Sequence, residues 1–173
     1  YGNYSIQKNK HIIIIFIGRL QLDKSGKYIE SFIHMINEIA KNVKNKLPIF
    51  IKPHIFSDLE FIEKCISKGV GDYNMKYIFT KLHPSVLASR ATISFFIGDS
   101  NVIYEISNLN VPIVQCLYGF NDKEVAVKSS KKSDYIITKA NPFLNDIISR
   151  IAFSKHTPVL YKKRRKELNC SFL

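Results

Sequence analysis

Ala91-Thr92-Ile93-Ser94-Phe95-Phe96-Ile97, followed at once by Gly98-Asp99-Ser100-Asn101, is the stretch that decides the fold. Seven residues dominated by isoleucine and phenylalanine, closed by a glycine, read as a central strand. The turn after it is small and polar, and the chain then continues as a helix over residues 102–109. A strand that passes through such a turn into a helix is one step of a strand–helix alternation.

The same rhythm extends in both directions. Residues 12–17, Ile-Ile-Ile-Ile-Phe-Ile, are bounded by Gly18 and form a second strand buried on both faces. A loop with Asp23, Ser25 and Gly26 leads into a helix over 27–45, whose Ile29, Phe32, Ile33, Ile36, Ile39, Ala40 and Val43 share one face. Pro48 precedes a strand over 49–52 that ends at Lys52-Pro53-His54. Residues 56–67 have helical periodicity, with Ser57 placed as N-cap, Glu60 as its capping-box partner, and Gly69 and Gly71 as the stop. Further on, a strand over 77–79, a helical turn over 84–89 after His83, and strands over 112–117 and 135–138 follow. Pro142 then opens a helix to residue 153. Strands separated by helices of ten or more residues imply an α/β fold, an open parallel sheet flanked by helices.

Composition sets the bounds. The chain has 173 residues, 46% hydrophobic and 23% charged, which excludes a disordered polypeptide and fits one domain over 1–160 with a basic tail over 161–173. The 26 Lys and Arg against 14 Asp and Glu leave a net charge of +12, which favours anionic partners but equally describes a solvated surface. The tail cluster, Lys162-Lys163-Arg164-Arg165-Lys166, reads as a solvated end or as a contact with an anionic inner-membrane surface, at about 1 kcal/mol per basic residue. No helix-turn-helix, zinc-finger or aromatic RNA-binding pattern accompanies it, so no nucleic-acid partner is expected. Cys65, Cys116 and Cys170 are widely spaced and odd in number, without metal-ligand spacing, which points to a reducing cytoplasm. The longest apolar run, 12–17, is too short to cross a bilayer. The chain starts with Tyr1 just ahead of a strand, and a piece of a longer protein is expected.

In an open parallel sheet, ligands bind outside the carboxyl ends of the strands. Residues 18–26, Lys52-Pro53-His54 and Gly98-Asp99-Ser100-Asn101 all fall there. Gly98, Asp99, Ser100 and Asn101 open a helix, where backbone N–H groups can hold a phosphate, and Glu105 lies one turn on, within reach of ribose hydroxyls. The alternative is that Asp99 or Ser100 is only an N-cap. Lys52 and His54 can bind a phosphate or donate to a leaving group, or be a solvated lysine and a histidine satisfied by backbone. His83-Pro84 reads as capping or packing. His11, His34 and His156 have no ligand spacing. Neither a dinucleotide-binding nor a Walker fingerprint is present.

The order of these segments resembles a known domain. The Gly18-Arg19-Leu20-Gln21-Leu22-Asp23 loop, the strand ending Ile51-Lys52-Pro53-His54, and the run from Ile93 through Ser100-Asn101 to Glu105 and Ile106 are similar to the C-terminal, donor-nucleotide half of GT-B glycosyltransferases. The resemblance is to those of bacterial surface-polysaccharide type, including capsule and lipooligosaccharide sialyltransferases, and spans about residues 11 to 117. It implies a Rossmann-like half of a GT-B fold, with Lys52 and His54 on the donor phosphate, Ser100 and Asn101 at the phosphate or cytidine, and Glu105 at the ribose. It also implies a nucleotide-sugar donor, with CMP-sialic acid as the first choice, a glycan acceptor and a missing N-terminal acceptor domain. No metal and no cofactor are implied, because the nucleotide sugar is itself a substrate. Ile55 stands where the family has Pro, and Asn101 where many members have Ser or Gly, so the donor base stays open. A nucleotide-sugar 2-epimerase and a non-catalytic basic domain that binds a membrane surface or a protein are the other classes.

Overall fold

Six consecutive residues of the first strand are almost wholly withdrawn from solvent, because a strand covered on both faces can use isoleucine at every position. The computed structural model describes residues 12–43, 47–98, 100–109 and 111–138. Within them the order is β1 (Ile12–Ile17), a short 3-10 turn at Leu20–Leu22, α1 (Lys27–Val43), β2 (Ile49–Pro53), α2 (Leu59–Val70), β3 (Tyr77–Phe79) and α3 (Pro84–Ala88). Then come β4 (Ala91–Ile97), α4 (Val102–Ile106), β5 (Ile113–Cys116), α5 (Asp122–Lys128) and β6 (Tyr135–Ile137).

All strands are parallel and their spatial order is β3-β2-β1-β4-β5-β6. The chain walks outward from β1 to β3, returns to β4, and walks outward the other way. The open parallel sheet flanked by helices is therefore the doubly wound, Rossmann-like α/β arrangement, with its topological switch between β1 and β4. Alternation along the strands divides the core in two. Ile13, Ile15 and Ile17 with Ile93, Phe95 and Ile97 pack under α1 and α2. Ile12, Ile14, Phe16 and Phe96 pack under Leu87 and Ala88 of α3 and Ile103 and Ile106 of α4. Phe16 and Phe96 are direct neighbours in register and stack at 4.8 Å.

Several sequence expectations change. The N-cap of α2 is Asp58, whose side chain accepts from the Phe61 amide at 3.1 Å, and not Ser57. Ser57 sits one residue too early, with its hydroxyl turned toward the Gly18 carbonyl at 3.5 Å. Glu60 instead meets Lys64 one turn on. Gly71 does end α2, at φ +55°, but Gly69 is buried inside the helix. α4 stops at Ile106, short of 109, and α3, α4 and α5 have five, five and seven residues, so the crossovers are not all made by long helices. α5 is an element that the periodicity did not show. The helix expected over 142–153, the tail, Cys170, His11 and His156 lie outside the described residues. No helix among the described residues is long and apolar enough to cross a membrane.

Candidate functional site

The strand ends are held together by backbone before any side chain contributes. The Gly18 amide donates to the Ile97 carbonyl at 3.0 Å, and the His54 amide to the Ile17 carbonyl at 2.9 Å, so the loops after β1, β2 and β4 leave the sheet side by side. Gly98 has φ +77°, and a Cβ there would stand 3.9 Å from the Gly18 Cα, an ordinary contact. The left-handed backbone, rather than crowding, is what calls for glycine at this turn.

Two cavities open at this edge. The first, about 290 Å³, has Phe16, Ile17 and Val102 as an apolar wall and Lys52, His54 and Ser100 as polar ones, joined by Lys81 and His83. The second, about 230 Å³, lies toward β5, with Gly98, Asn101, Gln115 and Ser130 around it, and Ser100 forms part of both. The structure thus brings Lys52, His54 and Ser100 to one cavity, and Gly98 and Asn101 to its neighbour. Glu105 lines neither. Its Oε1 accepts from the Ser85 hydroxyl and faces His83 Nδ1 at 3.2 Å, so this carboxylate is engaged by α3. Asp99 lies outside the described residues.

Ser100 does not hold the N-cap position of α4. Asn101 holds the cap position without a side-chain bond, and the Ser100 hydroxyl accepts from the Val102 amide at 3.3 Å. Five residues also make a weak macrodipole, so charge compensation in the cavity falls to the side chains. Lys52 makes no ion pair with any described residue, which leaves its charge for a ligand. His54 accepts from the Phe56 amide through Nδ1 at 3.2 Å, and its neutral ring therefore carries the proton on Nε2.

The first helix offers no anion site. Asp23 fills the N-terminus of α1, accepting from the amides of Tyr28 at 2.7 Å and Ile29 at 3.3 Å and from both donors of Ser25. Burial acts to raise the Asp23 pKa, yet the hydrogen bonds from Ser25, Tyr28 and Ile29 together outweigh it and hold the carboxyl below its ordinary value.

Lys81 and His83 were not among the sequence candidates, since His83 was read as a cap. It does stand at the N-cap of α3, but its side chain makes no capping bond and pairs with Glu105 instead. A signal was present: Lys81-Leu82-His83 repeats the Lys-x-His step of Lys52-Pro53-His54 just past the end of the adjacent strand.

No protein-family model matches the chain, and no curated protein sequence matches it. Solved structures do. UDP-GlcNAc 2-epimerase from Neisseria meningitidis, bound to UDP-GlcNAc, is 18% identical with a TM-score of 0.54, over 92% of this chain and 40% of that one. TarM of S. aureus, in complex with fondaparinux, alpha-GlcNAc-glycerol and UDP, is 14% identical with a TM-score of 0.54, over 99% and 35%. The glycosyltransferase VinC in complex with DTDP is 10% identical with a TM-score of 0.51, over 94% and 38%. The chain has the fold of one Rossmann-like, GT-B-type domain. It spans about two fifths of the length of each of these proteins.

Proposed function

We propose that this chain is the nucleotide-sugar-binding half of a GT-B enzyme, with glycosyl transfer as its reaction. The observation that carries the reading is the meeting of Lys52 and His54, at and just past the end of β2, with Ser100, from the turn after β4, in one cavity beside the switch point. Lys52 supplies charge to the donor phosphate and Ser100 a hydroxyl. His54 donates from Nε2 to the phosphate oxygen that gains charge as the bond to the sugar breaks. The electron pair of that bond leaves with the phosphate, and the acceptor hydroxyl forms the new bond and gives up its proton. The base that takes this proton, and the glycan acceptor itself, belong to a second, N-terminal domain.

The finer reading, sialic acid transferred from CMP-sialic acid to a bacterial surface glycan, is supported by the resemblance of the segments around Lys52, His54 and Ser100. The 2-epimerase reading is favoured by a separate observation, the fold likeness to the N. meningitidis enzyme at the same TM-score as TarM. Asn101, at the second cavity, is the residue proposed to adjoin the base, and Gly98 lines the same cavity.

Calorimetric titration of the chain with CMP, CMP-sialic acid, UDP and UDP-GlcNAc tests this. Binding of one base is expected, with Lys52→Ala, His54→Ala and Ser100→Ala each weakening it about tenfold or more, since a hydrogen bond to a charged group contributes roughly 1.5–3 kcal/mol. Cytidine preference supports the sialyltransferase-like donor and uridine preference another sugar. Absence of binding by all four removes the reading.

A further inference from the structure

The two Lys-x-His steps carry all four basic residues to the same cavity, yet their imidazoles are held in opposite ways. His54 Nδ1 accepts from the Phe56 amide, so His54 offers the cavity an N–H. His83 brings Nδ1 within 3.2 Å of Glu105 Oε1, and a neutral ring that answers this carboxylate carries its proton on Nδ1 and has Nε2 as the acceptor. Glu105 is fixed in turn by the Ser85 hydroxyl on the same oxygen, so α3 and α4 together lock an imidazole–carboxylate pair. His54 thus lines the cavity as a donor beside Lys52, and His83, paired in this way, lines it as an acceptor. A ligand made only of phosphate oxygens satisfies the first and not the second.

We propose that the cavity recognises a phosphate ester of a sugar by reading hydrogen-bond polarity at two histidines: His54 Nε2–H takes an anionic phosphate oxygen, and His83 Nε2 accepts from a ring hydroxyl of the same ligand. Glu105 is then a positioning residue that acts through His83, and not the group that touches the hydroxyl. The inference rests on the nucleotide-sugar reading of the cavity. In a nucleotide the hydroxyls nearest the phosphate are those of ribose, and these are the ones assigned to His83. His83 pairs with Glu105, which also accepts from Ser85, and it shares the cavity lining with Lys52, Lys81 and His54.

Two measurements test it. In ligand-free protein, long-range nitrogen–proton NMR spectra are expected to show the Nε2–H tautomer at His54 and Nδ1–H at His83. The same tautomer at both overturns the proposal whatever the protein binds. In titrations with the preferred ribonucleotide and its 2′,3′-dideoxy form, the wild-type chain is expected to favour the ribo form about tenfold, or roughly 1.4 kcal/mol. His83→Ala should abolish that preference, and His83→Gln, which keeps an acceptor, should restore part of it. Glu105→Ala should reduce it, while adding Glu105→Ala to His83→Ala should change nothing more. If Glu105→Ala still weakens ribonucleotide binding in the His83→Ala background, Glu105 meets the ribose itself and the assignment of His83 fails. Nucleotide binding without ribo preference overturns this inference alone, whereas no binding by the wild type overturns the reading beneath it.

Discussion

Asp23 collects four hydrogen bonds from three residues, Ser25, Tyr28 and Ile29, and so closes the start of α1 with charge as well as geometry. Removing the carboxylate frees the Tyr28 and Ile29 amides at a helix end, and Asp23→Ala is expected to cost about 1 kcal/mol, the usual size for a lost cap. The pH dependence follows from the depressed pKa. A carboxyl whose folded pKa lies below its unfolded one contributes fully above the unfolded value, and that contribution disappears as pH falls through the folded value. Because the side chain is only half-buried, solvent screening keeps the effect modest. Urea denaturation of wild type and Asp23→Ala at pH 7 and near pH 3 checks both points: a gap at neutral pH that narrows in acid is expected. An unchanged gap would mean that the charge of Asp23 is irrelevant to its role. The same carboxylate also decides where an anionic ligand can sit, because it occupies the helix end that a phosphate would otherwise use.

Packing of α1 on α2 turns on Gly69. A Cβ at that position would stand 2.7 Å from the Ile33 carbonyl oxygen and 2.8 Å from the Ile36 Cβ, and Asn37 Nδ2 already donates to the Gly69 carbonyl at 3.0 Å. A backbone oxygen cannot swing aside as a side-chain tip can, so alanine must push the helices apart. Overpacking costs typically 1–3 kcal/mol, more than the gain of up to about 1 kcal/mol in helix propensity. Gly69→Ala is expected to lower the urea midpoint without changing the slope, and a rise in the midpoint would show that the two helices yield freely. At this same scale the limits of reading a sequence become visible. β3 and β4 were legible to the residue, and β1, buried on both faces, equally so, because β-branched and aromatic runs between turn signals have few other uses. Gly69 was misplaced because a glycine that permits close helix contact looks, in sequence, like one that ends a helix. α5 was missed because none of its residues is buried, so it has no apolar stripe. Its trace was the capping box of Asn121 and Glu124, reinforced by the pairing of Glu124 with Lys27 of α1 at 2.6 Å. The convergence of Lys52, His54 and Ser100 was legible because parallel topology places the loops after every strand on one edge. The role of His83 was not, because it depends on a contact with Glu105 on another helix.

The described residues form a sheet covered on both faces, with polar side chains gathered at its carboxyl edge and two cavities open there. The polar lining of the two cavities suits a charged, hydroxylated ligand: Lys52, Lys81 and Lys128, the imidazoles of His54 and His83, and Ser100, which belongs to both. Among these groups, none is arranged to deprotonate a second substrate as well. His54 offers a donor, and the acceptor nitrogen of His83 is assigned to the ligand that is already bound. The matched structures are about two and a half times as long as the matched region, which fits a reaction completed by residues outside it. Binding and turnover should therefore separate in this chain. Saturating nucleotide sugar is expected to raise the melting temperature, since a ligand at a hundred times its Kd stabilises the folded state by about 2.7 kcal/mol. The increment should shrink with added salt, as befits a site whose charge comes from the half-buried Lys52 and the exposed Lys81. Under the same conditions, chromatography of the donor incubated with a glycan acceptor should show neither transferred sugar nor epimerised donor. Product formed at an enzymatic rate by the 173 residues alone would place the missing base within this chain and overturn the division of labour between two domains.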